Sequence, residues 1–145
     1  MSVSLEILGD KWTLLVIRDL MVRGFRTFKD FQSSSERIAT NILADRLRML
    51  QTAKIVVTET DENDRRKVNY RLTDKGMDLA PLLMDLLIWG ARHEKTGAPV
   101  GLAEKMEAQR EPFLVEARRR WEVRDNTPLL PSFGKTSRKT GQEKK

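Results

Sequence analysis

The sequence predicts an α+β fold that is mainly helical, and three consecutive segments support this prediction. Residues 39–53 have apolar side chains at helical spacing, so that one face carries Ile42, Leu43, Leu47 and Leu50. The β-branched run KIVVTET and the alternating run KVNYRL follow, separated by DENDRR, as in a β-hairpin. Thr73 and Asp74 then provide a capping hydroxyl and a negative charge for the start of another helix.

The order helix, hairpin, helix is the outline of a winged helix-turn-helix domain. In such a domain the helix before the hairpin is the recognition helix, which enters the major groove of DNA, and the hairpin forms the wing. The outer face of the predicted recognition helix carries Thr40, Asn41, Ala44, Asp45 and Arg48. Ala39 stands where a Ser or Asp cap would be expected, so this helix is predicted to lack a good side-chain cap. An ordinary α+β core with a solvated loop is the alternative interpretation of the same pattern.

Three helices are predicted before the recognition helix. A short helix covers residues 4–8, and a break at Gly9 separates it from a second helix over residues 11–23. The core-facing side of this second helix is expected to carry Trp12, Leu15, Val16 and Leu20, with Asp19 beside them. Phenylalanines at positions 25, 28 and 31 indicate a short third helix behind the recognition helix, with a serine-rich turn between the two.

The helix that starts at Thr73 is predicted to run to Glu94, with a kink at Pro81 or a restart near Ala80. Its apolar surface is broader than one stripe, so it needs two partners, its own domain and a second subunit. The segment KTGAPVG is a linker by its Gly and Pro content, and a helix interrupted by Pro112 follows it. The predicted organisation is a winged domain with flanking dimerisation helices over residues 1–94, a linker with an additional helix over 95–125 and a basic disordered tail over 126–145.

The net charge of +6 indicates an acidic partner, for which nucleic acid is the usual candidate. Residues 95–145 have a net charge of +5, so most of the excess lies in the C-terminal part. Residues 10–71, which include the predicted recognition helix, have a net charge of +4, and the remaining residues are acidic on balance. The most apolar run, residues 79–91, is broken by Asp85 and is too short to span a bilayer. We therefore expect a cytoplasmic protein with no membrane partner. The absence of cysteine excludes disulfides and cysteine-ligated zinc.

Four blocks of sequence resemble those of a known family, in the same order and spacing. They are ILGDKWTLLVIRDLM, FRTFKDF, IATNILADRLRML and RKVNYRLTDKG, the last leading into LLMDLLIWGARHE, and the resemblance as a whole covers residues 5–94. The sequence is thereby similar to the HxlR-type winged helix-turn-helix transcriptional regulators of bacteria and archaea. The resemblance implies a homodimer that binds double-stranded operator DNA, usually near its own or a neighbouring gene, without enzymatic activity.

The first exposed turn of the recognition helix supplies the residues expected to contact bases, which are Thr40, Asn41 and Ala44. Asn can pair bidentately with adenine, and Thr can contact a base edge or a thymine methyl group. Arg48 lies further along and is expected to reach a phosphate, with an ion pair to an acidic residue as the alternative. Arg46 borders the packing face, where a structural role and a phosphate contact are equally compatible with its position.

Two groups of residues are expected to position the protein on the DNA backbone. Arg65, Arg66 and Lys67 follow the wing turn, although neighbouring acidic residues would repel phosphate. The second group lies at or near the start of the third helix, where exposed amides and the positive end of the helix dipole favour a phosphate. This group consists of Arg26, Thr27 and Lys29.

The dimer interface is expected where the first helix meets the long helix that follows the wing. The apolar residues at this meeting are Leu5, Leu8, Leu82, Leu86 and Trp89. The family resemblance implies the same interface.

The sequence offers no set of residues for catalysis. His93 has no neighbouring acid and nucleophile, and neither a phosphate-binding glycine loop nor a metal motif is present, so we expect no cofactor and no metal. Some members of the resembled family sense oxidants through a cysteine before the first helix. The sequence has no cysteine, which excludes thiol sensing for the chain as given. The alternative is that the true start site lies further upstream, in which case the residues that normally precede the first helix are missing from this sequence. A small-molecule effector is possible but unspecified.

Two other functions are compatible with the sequence. A basic winged protein could bind structured RNA through its fold and tail. A domain that keeps the fold but has lost DNA recognition could bind another protein, which the acidic wing turn and the nearly neutral first 94 residues would allow.

Overall fold

A computed structural model describes residues 1–129 of the chain. Within these residues the mainly helical α+β fold predicted from the sequence is confirmed. Between residues 1 and 129, no helix has the length and apolar character that a membrane span requires. The elements in chain order are α1 (Ser2–Leu8), α2 (Lys11–Val22), α3 (Phe28–Gln32), α4 (Thr40–Thr52), β1 (Val56–Thr60), β2 (Val68–Leu72), α5 (Asp74–Met77), α6 (Ala80–His93), α7 (Leu102–Ala108) and α8 (Arg110–Glu122).

The main core forms where α2, α3, α4 and the hairpin meet. Ile17 of α2, Phe31 of α3 and Leu43 of α4 are buried there. Phe31 lies edge-on to Phe25 and Tyr70, with ring centroids 5.9 and 6.3 Å apart, and this contact joins α3 to β2. Burial of each such side chain stabilises the fold by about 1.5–3 kcal/mol.

The wing is an antiparallel hairpin whose base is buried and whose tip is in solvent. Val56 pairs with Leu72 at the buried base, and Thr60 pairs with Val68 at the exposed end. The turn is organised by Asp61, whose carboxylate accepts hydrogen bonds from the backbone amides of residues 63 and 64. A further backbone bond from the Tyr70 amide to the Arg26 carbonyl, 2.7 Å long, attaches the hairpin to the segment before α3.

The buried side of α2 differs from the prediction. Thr13 and Ile17 are buried together with Val16, whereas Trp12 and Leu15 are only half-buried. Most positions from 12 to 22 are apolar, so periodicity could not select one face. Contacts of α2 with α4, β2, α6 and α8 on different sides decide which residues are covered.

The predicted restart near Ala80 is confirmed. The segment after the wing forms two helices, because α5 ends at Met77 and α6 begins at Ala80, with Pro81 in its first turn. Proline is tolerated there, since the first-turn amides of a helix have no intrahelical acceptor. The same rule explains why the break near Pro112 lies at Gln109, upstream of the expected position, with Pro112 in the first turn of α8.

Helix α8 packs against the winged domain. Ala117 is buried in the main core, and the Trp121 indole Nε1 donates to the Leu72 carbonyl at 2.8 Å. The guanidinium of Arg71 lies 4.4 Å from the centre of the Trp121 ring and donates to the Trp121 carbonyl at 2.6 Å. The additional helix is therefore attached to the base of the wing.

The first residues of the predicted disordered tail are ordered, so the prediction is wrong for residues 126–129. The Leu129 amide donates to the Val22 carbonyl at 2.7 Å, and its side chain packs against the main core. The Arg120 guanidinium donates to the Thr127 carbonyl at 2.7 Å. Polar composition predicted disorder because it could not indicate that these groups find partners on α2 and α8. Residues 130–145 lie outside the described part of the chain.

Trp121→Ala should lower the free energy of unfolding by about 2–4 kcal/mol, because it removes a large ring, a hydrogen bond and the arginine contact together. Trp121→Phe keeps most of the ring and should cost about 1 kcal/mol, mainly for the lost bond to Leu72. Urea denaturation measures both values. Val115→Ala, at an exposed position of the same helix, is the control and should stay within about 0.5 kcal/mol of wild type. A loss for Trp121→Ala no larger than the control would show that α8 does not stabilise the domain.

Candidate nucleic-acid interface

The recognition helix α4 buries one side and exposes the other, as predicted, although Ile42 and Asp45 are each only half-buried and Asp45 pairs with Arg46. Leu43, Leu47 and Leu50 are buried, while the opposite side is formed by Thr40, Asn41, Ala44 and Arg48. Ala44 is half-buried, and the other three are exposed. Positions 40, 44 and 48 recur every four residues, so they lie along one face of the helix.

The start of α4 has no side-chain cap, as predicted from Ala39. The Gln32 side chain at the end of α3 instead donates to the Thr40 hydroxyl at 3.2 Å. The first amides of α4 are therefore available to solvent or to a ligand at the helix end that is expected to approach DNA.

Arg46 has a structural role. Its Nε donates to Asp10 Oδ1 at 2.9 Å, and the same carboxylate caps α2 by accepting from the amides of Trp12 and Thr13. The hydrogen bond from Arg46 lowers the pKa of Asp10. One carboxylate thus joins the start of α2 to the middle of α4 and sets how α4 is rotated on the core.

A second ion-pair network holds the turn before α4, and it was not predicted from the sequence. Glu36 in that turn accepts from Arg18 Nη1 at 2.9 Å and from the Ser34 hydroxyl, and lies 3.5 Å from Arg23. Burial alone would raise the pKa of Glu36, but the hydrogen bonds from Arg18 and Ser34 and the two arginine charges lower it to about 2. Asp19 is buried beside Arg18, with an oxygen 2.7 Å from Arg18 Nη2. Burial raises the pKa of Asp19 despite the opposing charge of Arg18.

A signal for this network was present in the sequence. Asp19 lies on an otherwise apolar side of α2, and Arg18 and Arg23 are within one helical turn of it. A buried carboxylate requires such partners, because an uncompensated charge in the interior is costly. The participation of Glu36 carries no comparable local signal, since it is 18 residues from Arg18.

The wing residues Arg65, Arg66 and Lys67 are exposed, as a DNA-contacting tip requires. The Arg66 side chain is 94% exposed, and its 3.4 Å contact with Asp64 is too weak to hold it away from a phosphate. Asp61 is engaged in the turn, where hydrogen bonds from the Asn63 amide, the Asn69 side chain and the Asp64 amide lower its pKa.

The prediction of exposed amides at the start of α3 is wrong for Arg26 and Thr27. The Asp30 carboxylate accepts from both amides, at 2.9 and 3.0 Å, while the Thr27 hydroxyl accepts from the Asp30 amide in a capping box. This internal cap occupies the amides of Arg26, Thr27 and Asp30, so Arg26 and Thr27 could contact a phosphate only through their side chains. Lys29 is exposed and remains suitable for such a contact.

Arg26 belongs to a cationic cluster at the base of the wing. Burial, followed by the charge of Arg71, lowers the pKa of Arg26. Arg124, after α8, lies 2.9 Å from Glu59, and Arg71 lies 3.9 Å from the same carboxylate. Two arginines thus share one glutamate, and Arg26 is close enough for the charges of all three side chains to affect it. Arg71 and Arg124 were not among the residues predicted for DNA contact, since only the docking of α8 brings Arg124 to the wing.

The surface predicted as a dimer interface is apolar and mostly exposed. Leu5 on α1 and Leu82, Leu86 and Trp89 on α6 each expose between 41% and 59% of their surface. Leu8 is half-buried and packs against the main core, so it has an intramolecular role as well. The opposite side of α6 buries Met84 and Ile88 against α7.

The family model for the HxlR-like helix-turn-helix matches residues 7–97, which include the recognition helix, the wing and α6. The chain belongs to the HxlR-like helix-turn-helix family. The family consists of transcriptional regulators, so this HxlR-like chain is a helix-turn-helix transcriptional regulator and not an enzyme.

Individual relatives agree with this assignment. The HTH-type transcriptional regulator YodB of Bacillus subtilis is 30% identical over 105 residues, which cover 72% of this HxlR-like chain and 93% of YodB. The uncharacterized HTH-type transcriptional regulator Rv3095 of Mycobacterium tuberculosis is 32% identical over 101 residues. That match covers 68% of this chain and only 63% of Rv3095.

Solved structures show the same fold. The crystal structure of PA1607 has a TM-score of 0.59 at 40% identity, with 66% of this chain and 64% of PA1607 covered. The reduced form of YodB from B. subtilis has a TM-score of 0.55 at 30% identity, with 64% of this chain and 90% of YodB covered. The chain thus spans slightly less than two-thirds of the length of PA1607 and of Rv3095.

Glu36→Gln should destabilise the protein most at neutral pH and progressively less in acid. The folded-state pKa of Glu36, about 2, lies below its ordinary value of 4.5. Its ionised form therefore stabilises the fold fully above that ordinary value, and the contribution is lost as the pH falls toward the folded pKa. The difference in unfolding free energy between wild type and variant should shrink by up to about 1.4 kcal/mol per pH unit in this range.

Urea denaturation at neutral pH and at about pH 4 and 3 measures this difference. Asp19 titrates in the opposite sense because burial raises its folded pKa. The Glu36 charge adds to that increase, so its removal in the variant lowers the pKa of Asp19 and offsets part of the trend. Glu111→Gln, at an exposed position of α8, is the matched control and should show no such trend. A difference for Glu36→Gln that stays constant over the whole pH range would contradict the ion pair.

Proposed function

We propose that this regulator binds DNA sequence-specifically as a homodimer on an inverted-repeat operator. The observation that carries the proposal is the exposed face of α4, whose helix is held on the core by one ion pair to the start of α2 and by another at the preceding turn. A helix held at two points can present the same side chains to every half-site, which specific recognition requires.

The base contacts are assigned to the start of α4. Thr40 and Asn41 are exposed in its first turn, and Ala44 follows one turn later with a methyl group that fits against a thymine methyl. The amide of Asn41 can donate to and accept from adenine at the same time. The absence of a side-chain cap leaves the first amides of α4 free to meet a phosphate beside these bases.

The backbone contacts are assigned to cations around this face. Arg48 extends from the next turn of α4, the wing tip supplies Arg65, Arg66 and Lys67, and Lys29 is exposed on α3. Arg26 is a weaker candidate, because it is half-buried in the cluster at the wing base. Each phosphate contact releases counterions, so operator affinity should fall as the salt concentration rises.

Homodimerisation is assigned to the exposed apolar surface of α1 and α6. Leu82, Leu86 and Trp89 recur along one side of α6, while the other side is already covered by α7. An apolar surface of this kind on a helix indicates a protein partner, and a two-fold axis through α6 would place two copies of α4 for two half-sites.

Asn41→Ala should weaken operator binding by about 1–3 kcal/mol and leave binding to random duplex nearly unchanged, because a bidentate base contact carries sequence information. Selection from random duplexes with wild type should enrich an inverted repeat with half-site centres about 34 Å apart or a multiple of that distance. Asn126→Ala, at an exposed position away from α4, is the control and should select the wild-type sequence. Selection of the same sequence with equal strength by Asn41→Ala would exclude this residue from base recognition, and selection of RNA or of no repeat would contradict the proposal.

Leu86→Glu should shift the protein from dimer to monomer, because a carboxylate would lie unpaired in an apolar interface. Sedimentation velocity measures the change. Operator affinity should also fall, because each half-site is then bound by a separate monomer. Val115→Glu, at a similarly exposed apolar position on α8, should remain dimeric. A stable dimer for both Leu86→Glu and Leu5→Glu would move the interface to another surface.

A further inference from the structure

A cleft lies between α2, α6 and the segment that leads into α7. Its volume is about 290 Å³, which is at the lower end of the range of about 300–1,000 Å³ that small-molecule sites occupy. Two of its walls are apolar. They are formed by Leu87 and Ala91 of α6 and by Ala98, Leu102 and Met106 of the facing segment.

The facing wall is supplied by residues outside the family match. The match ends at residue 97, and apart from Thr96 the residues of this wall, from Ala98 into α7, lie beyond it. Met106 of α7 is buried against Met84 and Ile88 of α6, so the wall is held in place by a small core of its own. The cleft therefore depends on the C-terminal segment of this particular chain.

The remaining side of the cleft is charged and carries an arginine with donors to spare. Each guanidinium nitrogen of Arg18 donates one hydrogen bond, and these three bonds to Asp19 and Glu36 are 2.7–3.0 Å long. Arg23 makes only 3.5 Å contacts with the same two carboxylates, both through Nη1. Within residues 1–129 its Nε and Nη2 donate no hydrogen bond, although a guanidinium has five N–H groups.

The environment of Arg23 favours an anionic ligand. The side chain is only 17% exposed, so an ion pair formed there is screened less by water than one at the surface. A guanidinium with spare donors at the edge of an apolar cleft matches a carboxylate attached to an apolar body, since the carboxylate can accept two parallel N–H bonds.

We propose that this cleft binds a small carboxylate with an apolar body, and that Arg23 holds the carboxylate while Leu87, Ala91 and Met106 surround the apolar part. The cleft volume limits the ligand to a small aromatic or short-chain acid. Such a ligand is an effector, because the groups that line the charged end are the ones that hold the turn before α4.

The bound carboxylate accepts from the Nε and Nη2 donors of Arg23 and adds a negative charge beside Glu36. The attraction of Arg23 for Glu36, which acts through a contact of only 3.5 Å, is then weakened, and the turn before the recognition helix is held less firmly. Occupation of the cleft therefore lowers affinity for the operator. This second step rests on the proposed DNA-binding function, whereas ligand binding does not.

Ligand binding is tested with the full chain and four probes, benzoate and hexanoate together with the neutral benzamide and hexanamide. Isothermal titration calorimetry should show that at least one acid binds and that its amide binds at least about tenfold more weakly. Arg23→Gln should remove this preference, and Ala91→Leu should abolish binding by filling the cleft. Arg119→Gln, which changes an exposed arginine of α8 away from the cleft, should bind as wild type does. Thermal unfolding of each variant verifies that it is folded.

Failure of both acids to bind at millimolar concentration, or equal binding of acid and amide, would overturn the proposed site. Unchanged binding to folded Arg23→Gln or Ala91→Leu would do the same.

The effect on DNA is measured separately. Saturation with the acid that binds should lower operator affinity by about fivefold or more, and operator DNA should lower affinity for the acid by the same factor, since coupling is reciprocal. Binding of the acid with unaltered operator affinity would refute the regulatory step alone. A chain that binds no DNA at all would refute the proposed function, while the calorimetric titration would still decide whether the cleft is a ligand site.

Discussion

The packing of α4 against α2 is the contact on which the DNA-facing surface depends. Leu43, Leu47 and Leu50 are buried on one side of α4, and Ile17 on α2 is fully buried in the same core. Burial of each of these side chains contributes about 1.5–3 kcal/mol, so rotation of α4 about its axis would cost several such contributions. The polar side of α4 is therefore exposed as a consequence of core packing.

Charged side chains refine an arrangement that apolar burial establishes. Asp10 caps α2 and binds Arg46 of α4, while Glu36 binds Arg18 of α2 just before α4 begins. Both pairs are partly exposed, and desolvation offsets part of the attraction between their charges, although removal of one partner would leave the other uncompensated. Their benefit here is geometric, since each pair permits one position of α4 relative to α2. The same dependence explains why an anion near Arg23 could alter the recognition helix from a distance.

The C-terminal helices extend the regulator beyond the part that matches the family. Trp121 of α8 stacks on Arg71 and binds the Leu72 carbonyl at the base of the wing, and α7 covers one side of α6. Arg124 follows α8 and joins the cationic cluster around Glu59. These helices stabilise the wing, add positive charge beside it and form one wall of the cleft.

Local sequence rules were sufficient to predict the order of the helices and the hairpin, most of the buried side of α4, the missing cap at Ala39 and the restart at Ala80. Side-chain period, capping preference and proline geometry each depend on residues within a few positions of one another. The buried side of α2 was predicted only in part, because most of its residues are apolar and several elements compete to cover them. The pairs Arg18–Glu36 and Arg46–Asp10 join residues 18 and 36 positions apart, and the Trp121–Leu72 bond spans 49. Such contacts follow from which distant surfaces meet, and no local pattern in the chain specifies that.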